Sequence, residues 1–219
     1  MREVKFIPAL RFNFLTSIYD FVFKFTMPEK KFRNDLVDQF KNSKNKHVME
    51  FGVGTASNAI LAKQKYPALQ VTGVDVDPKI LSMAQKKIDR EKTSVALVGY
   101  DGKHLPFPEN TFDVVFSSLV FHHLVPKDKI NAFTEIHRVL KQGGQFIYAD
   151  WGKPVGLYCT IAFNTLGLFD GPLNTKDHRT GEYHKMIEEK GFSPVTIHKK
   201  YQTVYGTLEL AETFKQNKV

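Results

Sequence analysis

The chain has almost no cysteine and no long hydrophobic run. Its single cysteine, Cys159, excludes an intramolecular disulfide and fits a reducing compartment. The most apolar stretch, residues 155–169, contains Asn164, two glycines and two threonines, and so falls short of the roughly 18–20 apolar residues of a membrane span. Arg11 and Asn13 interrupt the apolar N-terminal segment, which argues against a signal peptide. These features predict a cytoplasmic protein.

Positive charge is concentrated near the N-terminus. The net charge is +8, and residues 1–47 hold ten lysines and arginines against five acidic residues. Such a segment either contacts anionic lipid or nucleic acid, or is the solvated lysine-rich surface of a helix. The solvated surface is the interpretation we favour.

Short β-branched runs alternate with longer amphipathic stretches through the middle of the chain. This order predicts a parallel sheet with crossover helices in a single α/β domain of 219 residues. The predicted strands are His47–Phe51, Gln70–Asp75, 94–99, 112–117 and 145–150, and the predicted helices are 56–65, Pro78–Arg90 and 127–141. The glycines of Gln142-Gly143-Gly144 are expected to end the last of these helices.

Both ends of the chain add elements to this core. Residues 12–27 and 29–40 are predicted to form two helices over one end of it. Residues 152–176 predict an irregular or partly helical insertion, and residues 177–190 a helix that ends at Gly191. Residues 195–199 and 203–210 predict an antiparallel pair of strands at the sheet edge. We therefore expect an N-terminal helical cap, residues 1–44, and one globular unit, residues 45–219.

A glycine turn between a strand and a helix predicts a nucleotide pocket. The stretch VMEFGVGTAS, residues 48–57, places Gly52 and Gly54 where the backbone must turn sharply and approach a ligand. Asp75 ends the next strand in VTGVDVDP and can accept hydrogen bonds from ribose hydroxyls.

Three features depart from a dinucleotide-binding site. The third small position of the turn is Ser57 rather than glycine, and Glu50 directly precedes the turn. A second acid, Asp101, follows the third predicted strand. The pocket therefore predicts a nucleoside cofactor other than NAD.

Five motifs occur in order and at normal spacing: EFGVGTA, GVDVDP, YDGKHLPF, FDVVFSSLVFHHL and RVLKQGGQFIYAD. Together they resemble the class I S-adenosylmethionine-dependent methyltransferases over about residues 48–150. The most similar branch acts on small molecules and includes ubiquinone/menaquinone C-methyltransferases and phospholipid N-methyltransferases. The resemblance implies S-adenosylmethionine as cofactor and a Rossmann-like, seven-stranded, mostly parallel sheet with an antiparallel edge strand and helices on both faces.

The resemblance also implies roles around the methionine part of the cofactor. Glu50, Gly52 and Gly54 would line its amino and carboxylate groups. Ser117, at the end of the fourth strand, would face the sulfonium and the donated methyl group.

The adenosine part would be held by residues that follow the second and third strands. Asp75 would accept from both ribose hydroxyls, and Val76 would pack against the adenine. Asp101 would accept from the adenine amino group, and the Gly102 backbone NH would reach a ring nitrogen. Alternatively, Asp75 is only a cap before the next helix, although Asp77 fits that task better, and Asp101-Gly102 is only a turn.

Three side chains are candidates for the chemical step. His122 and His123 follow the fourth strand, where the acceptor would meet the cofactor, and an imidazole can serve as a base near neutral pH. The alternative is that this His-His pair only begins a connecting segment. Tyr19, in a Tyr-Asp pair, resembles the lid element of related small-molecule enzymes, and core packing explains it equally well.

Several absences narrow the chemistry. No Asn/Asp-Pro-Pro-Tyr/Phe motif follows the fourth strand, and no acidic cluster that would hold Mg²⁺ lies at the strand ends. Phenylalanine is frequent in both terminal segments. We therefore expect metal-independent methyl transfer to a small, apolar or lipid-like acceptor, with no nucleic acid partner. Two alternatives stay open: a phospholipid or quinone methyltransferase that contacts the membrane through its basic N-terminus, and a catalytically inactive cofactor-binding regulatory protein.

Overall fold

One mixed sheet lies at the centre of the protein in the computed structural model, which describes residues 29–41, 46–154, 173–203 and 206–216 together with positions 156, 160 and 163. Within these residues the sheet has seven strands in the order β3-β2-β1-β4-β5-β7-β6. They are β1 (His47–Phe51), β2 (Gln70–Asp75), β3 (Ala96–Gly99), β4 (Phe112–Ser118), β5 (Leu140–Trp151), β6 (Thr196–Thr203) and β7 (Gly206–Phe214). Strands β1 to β5 pair in parallel, whereas β7 runs antiparallel to both β5 and β6. The predicted fold class is confirmed.

Helices cover both faces of the sheet. They are α1 (Glu29–Asp38), α2 (Ser57–Lys65), α3 (Pro78–Arg90), α4 (Pro126–Val139), α5 (Lys176–Thr180) and α6 (Glu182–Glu188), and a short 3₁₀ turn covers Phe121–His123. One buried apolar cluster joins α1, α2 and α3 to the sheet, and a second joins α4 and α6 to the other face. Along β5 the side chains alternate between these clusters, as a strand that is covered on both faces requires.

Two local predictions were wrong. Helix α4 ends at Val139, and the glycines expected to cap it lie within β5, where Gly143 has a φ of +68°. The pairing with β4 shifts at this point, and Lys215 exchanges backbone hydrogen bonds with Gly143 and Gly144. The single helix predicted over residues 177–190 is divided into α5 and α6, because Gly181 adopts a φ of +82°.

The N-terminal prediction falls mostly on residues that are not described. The helix expected over residues 12–27, with Tyr19, lies outside the described residues, and α1 confirms only the second helix. From α1, Asp35 accepts hydrogen bonds from Lys199 and Tyr201 of β6, each at 2.6 Å. The division into a cap of residues 1–44 and a domain of residues 45–219 remains a prediction.

The fold places the carboxyl ends of the parallel strands along one edge. In open α/β sheets this edge carries the ligand site, at the crevice where the strand order reverses. Here the reversal lies between β1 and β4, which are neighbours although they are not consecutive in the chain. Among the described residues, no helix combines the length and the hydropathy needed to cross a bilayer.

Candidate cofactor site

The turn after β1 is built from two glycines with different surroundings. Gly52 and Gly54 have φ values of +71° and +52°, a region that glycine enters without steric cost. A Cβ atom on Gly52 would lie 2.4 Å from Cγ2 of Val120, so the turn packs tightly on the segment after β4. A Cβ atom on Gly54 would meet nothing within 4 Å. The turn therefore leaves open space beside Gly54, where the cofactor was predicted.

The carboxylate of Asp75 is fixed at the end of β2. Its Oδ2 atom accepts from the backbone NH of Gly54 at 2.9 Å, and its Oδ1 atom accepts from the backbone NH of Asp77 at 3.1 Å. The side chain is half-buried, and each carboxylate oxygen can accept one further hydrogen bond. The N-cap of α3 is Asp77, which accepts from the backbone NH of Lys79 at 2.8 Å. Asp75 is thus not the cap of this helix.

The residues predicted to hold adenine lie next to Asp75. The backbone NH of Tyr100 donates to the carbonyl of Asp75 at 3.2 Å, which brings the ends of β2 and β3 together. Val76 is 37% exposed, and a Cβ atom on Gly102 would lie 3.5 Å from its Cγ1 atom. Asp101 is exposed, and its Oδ1 atom accepts from the backbone NH groups of His104 and Lys103, which lowers its pKa. An apolar surface and a fixed acceptor therefore lie side by side.

Glu50 faces α2 rather than solvent. It is 1% exposed, its Oε1 atom accepts from the Asn58 amide at 2.9 Å, and its Oε2 atom accepts from the backbone NH of Ala59 at 3.0 Å. Burial raises the pKa of Glu50 to about 8, although the hydrogen bond from Asn58 and the nearby Arg33 oppose this shift. The carboxyl group therefore fixes the start of α2 against β1, directly beside the glycine turn.

Ser117 is buried at the end of β4, and its hydroxyl donates to the carbonyl of Phe51 at 2.9 Å. The hydroxyl hydrogen is therefore used between two strands of the sheet. Only the lone pairs of this oxygen remain for a group at the sulfonium position.

The two adjacent histidines have different environments. His122 is buried, and its Nδ1 atom lies 2.7 Å from Oδ1 of Asp150, whereas His123 is exposed. Burial alone would raise the pKa of Asp150, but the His122 imidazole and the backbone NH of Trp151 hold it well below the usual range. The sequence analysis did not single out Asp150, although an acid at the end of β5 was visible in RVLKQGGQFIYAD.

The residues around this pocket match a known protein family. Residues 49–148, which include β1 to β4 and most of β5, match the family described as a methyltransferase domain. This match covers 100 of the 219 residues, which is less than half of the chain. The predicted resemblance to class I S-adenosylmethionine-dependent methyltransferases is confirmed, and with it the cofactor of the family.

The matches to individual relatives are longer than this domain, but they do not cover the whole chain. The chain is 28% identical to a demethylmenaquinone methyltransferase of Thermus thermophilus over 147 residues, which are 65% of this chain and 66% of the relative. It is 33% identical to the enzyme of the same name from Lactiplantibacillus plantarum over 128 residues, 57% of this chain and 53% of the relative. The match thus spans less than two thirds of the length of these relatives.

A solved structure shares the fold at low identity. Phosphoethanolamine N-methyltransferase 2 of Haemonchus contortus, in complex with phosphomonomethylethanolamine and S-adenosylhomocysteine, superposes with a TM-score of 0.67 and 18% identity. The superposition covers 85% of this chain and 53% of that one. At this identity the likeness supports the fold alone. The individual site residues remain predictions, and Tyr19 lies outside the described residues.

Proposed function

We propose that the chain transfers a methyl group from S-adenosylmethionine to a small, apolar or lipid-like acceptor, without a metal ion. The observation that carries the cofactor part is the Asp75 carboxylate, which Gly54 and Asp77 fix beside open space at the glycine turn. Val76 and Asp101 lie next to it at the ends of the neighbouring strands. This arrangement offers acceptors for two hydroxyls and one amine, together with an apolar surface for a purine.

Methyl transfer mainly requires the protein to align the acceptor with the methyl group of the cofactor. Methyl transfer from a sulfonium is an in-line displacement in which the positive charge on sulfur is lost. The protein must orient the acceptor behind the methyl group and exclude water. A hydroxyl or acidic carbon must in addition lose a proton, whereas an amine needs only orientation and desolvation. His122 and His123 stay our candidates for the base, and Tyr19 our candidate for a lid over the cofactor.

The acceptor class is supported by the relatives and by composition. Two relatives are named for demethylmenaquinone, a lipid-like molecule, and the terminal segments of this chain are rich in phenylalanine. Metal independence is proposed from the sequence, in which no acidic cluster that would hold Mg²⁺ lies at the predicted strand ends.

A membrane-surface enzyme that methylates a phospholipid or quinone is the second candidate. The specific support is the basic segment of residues 1–47, whose excess of about five positive charges would attract anionic lipid. Sedimentation with liposomes tests this candidate directly. Binding that rises with anionic lipid and falls with salt would support it, and binding insensitive to both would contradict it.

The function itself is tested by turnover. The purified chain is incubated with methyl-labelled S-adenosylmethionine and, in separate reactions, with demethylmenaquinol, phosphatidylethanolamine vesicles and phosphoethanolamine. Labelled product with a lipid-like acceptor, unchanged by a chelator, is the expected result. Cofactor binding without S-adenosylhomocysteine formation from any acceptor would instead identify a regulatory cofactor-binding protein.

A further inference from the structure

The 3₁₀ turn Phe121–His123 is anchored to a buried carboxylate at the end of β5. Asp150 is 1% exposed, and its Oδ2 atom accepts from the backbone NH of Phe121 at 2.8 Å. Its Oδ1 atom accepts from the backbone NH of Trp151 at 2.8 Å and lies 2.7 Å from Nδ1 of His122. Asp150 therefore fixes both the backbone and the imidazole of this turn.

This contact defines which nitrogen of His122 carries hydrogen. An ionised carboxylate can only accept, so Nδ1 of His122 must be the donor. In the neutral imidazole the other nitrogen, Nε2, then holds a lone pair. Within the described part of the chain, Nε2 has no hydrogen-bond partner. The geometry thus orients the imidazole as a base, and no residue that the structure describes occupies its accepting atom.

The turn also lies against the candidate cofactor site. The ring of Phe121 stacks on that of Phe51, the last residue of β1, with centroids 5.5 Å apart and planes within 5°. Val120 occupies the space that a side chain on Gly52 would need. His122 is therefore adjacent in sequence to the residue that packs on the end of β1, at the edge where cofactor and acceptor would meet.

Further ionisable groups surround Asp150. Its charge interacts with His178 of α5, Lys129 of α4, Tyr183 of α6 and Tyr148 of β5. Burial lowers the pKa of His178 to about 4, so this imidazole is neutral near pH 7. On the other side of His122 lies His123, with ring centroids 3.9 Å apart.

We propose that Asp150 is a positioning residue that holds His122 with its Nε2 atom ready to accept a proton from the acceptor during methyl transfer. The inference rests on the proposed function. It also restricts the acceptor to a hydroxyl or an acidic carbon, because an amine would not need this base. In the step, the acceptor's proton moves to Nε2 and its electron pair forms the new bond to the methyl carbon. The carbon–sulfur bond breaks, its electrons stay on sulfur as S-adenosylhomocysteine leaves, and solvent later removes the proton from His122.

Nitrogen-15 NMR of the histidine side chains tests the positioning without any acceptor. In the unsubstituted chain the neutral His122 is expected with hydrogen on Nδ1 and a bare Nε2. Asp150→Asn, which keeps the size of the side chain but removes its charge, is expected to populate the other tautomer of His122. Asp113→Asn, at the opposite end of the sheet, where the carboxylate pairs with Lys141, is the matched control and should leave the tautomer of His122 unchanged. An unchanged tautomer of His122 in Asp150→Asn would overturn the positioning role.

Kinetics with demethylmenaquinol test the catalytic consequence. Asp150→Asn is expected to lower kcat by roughly 10²- to 10⁴-fold with a small change in KM. His122→Gln, which leaves Asp150 and its backbone contacts in place, should show a similar loss that added imidazole partly restores. Normal turnover by either variant, or efficient methylation of phosphoethanolamine instead, would overturn the inference while leaving methyl transfer intact. Absence of turnover with every acceptor would count against the proposed function, and the NMR result would still decide the positioning role.

Discussion

Glu50 is a carboxyl group that the fold keeps largely protonated near pH 7. Burial between β1 and α2 raises its pKa to about 8, against a value of about 4.3 in an unfolded chain. A folded pKa above the unfolded one means that the group's contribution to stability is complete below about pH 4.3 and is lost as the pH rises through about 8. At about 1.4 kcal/mol per pKa unit, the change across this window is on the order of 5 kcal/mol.

Glu50→Gln should remove this pH dependence, because the amide cannot ionise. We expect the free energy of unfolding of the unsubstituted chain to fall more steeply than that of the variant between about pH 5 and about pH 9. Urea denaturation of both proteins at several pH values measures the difference. Parallel stability curves would show that Glu50 is ionised in the folded protein at neutral pH.

At the residue scale, the positions of the acidic side chains could be predicted from the sequence better than the contacts between side chains. Asp75 ends one predicted strand and Asp101 follows another, both within known motifs, so a position at the same edge of the sheet could be inferred. The contact of Asp150 with His122 could not, because it joins residues 28 apart in the chain through a backbone turn that no local pattern specifies. The hydrogen bond from Ser117 to Phe51 likewise depends on the register of β1 with β4.

At the element scale, the turn between β1 and α2 contains two glycines that are needed for different reasons: a positive φ at both, and a lack of space for a Cβ atom at one. Both Gly52 and Gly54 need a positive φ, which costs a substituted alanine about 1–2 kcal/mol. Only Gly52 also lacks space for a Cβ atom, because Val120 lies against it. Overpacking of this kind adds roughly 1–3 kcal/mol.

Gly52→Ala should therefore destabilise the fold by about 2–5 kcal/mol, and Gly54→Ala by about 1–2 kcal/mol. Part of the first cost should disappear in a Val120→Ala background, because the smaller side chain relieves the contact. A double-mutant cycle by urea denaturation measures this coupling. Equal costs for both glycines, with no coupling to Val120, would contradict the packing of this turn.

The accuracy of the predicted elements followed the strength of their local signals. The bounds of β1, β2 and α3 were predicted correctly, and α3 carries both an Asp77 cap and Pro78 at its first position. The start of β5 was misplaced because its first residues are defined by pairing with β4 and by bonds to Lys215, which are distant in sequence. The break at Gly181 has the same origin, since glycine inside a helical pattern indicates either a weak helix or its end.

At the scale of the whole molecule, a buried ion pair joins the C-terminal helices to the core. Lys129 of α4 is 0% exposed, and its Nζ atom lies 2.6 and 2.7 Å from the two carboxylate oxygens of Asp177. It also donates to the carbonyl of Asn174 at 2.5 Å. Burial lowers the pKa of Lys129, and the Asp177 carboxylate opposes this shift.

Lys129→Met should cost about 3–5 kcal/mol, because it leaves a buried carboxylate without its partner. Lys129→Met combined with Asp177→Asn should recover part of that loss, since no buried charge is then unpaired. Urea denaturation of the single and double variants measures both values. A double variant less stable than Lys129→Met would contradict this account of the pair.

The overall architecture was predictable because five motifs fix the order of strands and turns between residues 48 and 150. The acceptor site was not, because it depends on the segments around that core. The part of the chain that the structure describes includes α1 and the β6–β7 pair but not Tyr19. Localisation, membrane contact and the role of Tyr19 remain predictions.

Calorimetric titration of the purified chain with S-adenosylmethionine and with S-adenosylhomocysteine is the most direct test of the cofactor site. We predict one site for each ligand and a loss of affinity of about 10- to 100-fold or more in Asp75→Ala, because hydrogen bonds to a charged group contribute about 1.5–3 kcal/mol each. Asp77→Asn, in the same loop, keeps a side-chain oxygen for the cap of α3 and should leave the affinity nearly unchanged. Absence of binding heat with both ligands, or equal affinity in Asp75→Ala, would contradict the assignment of this pocket.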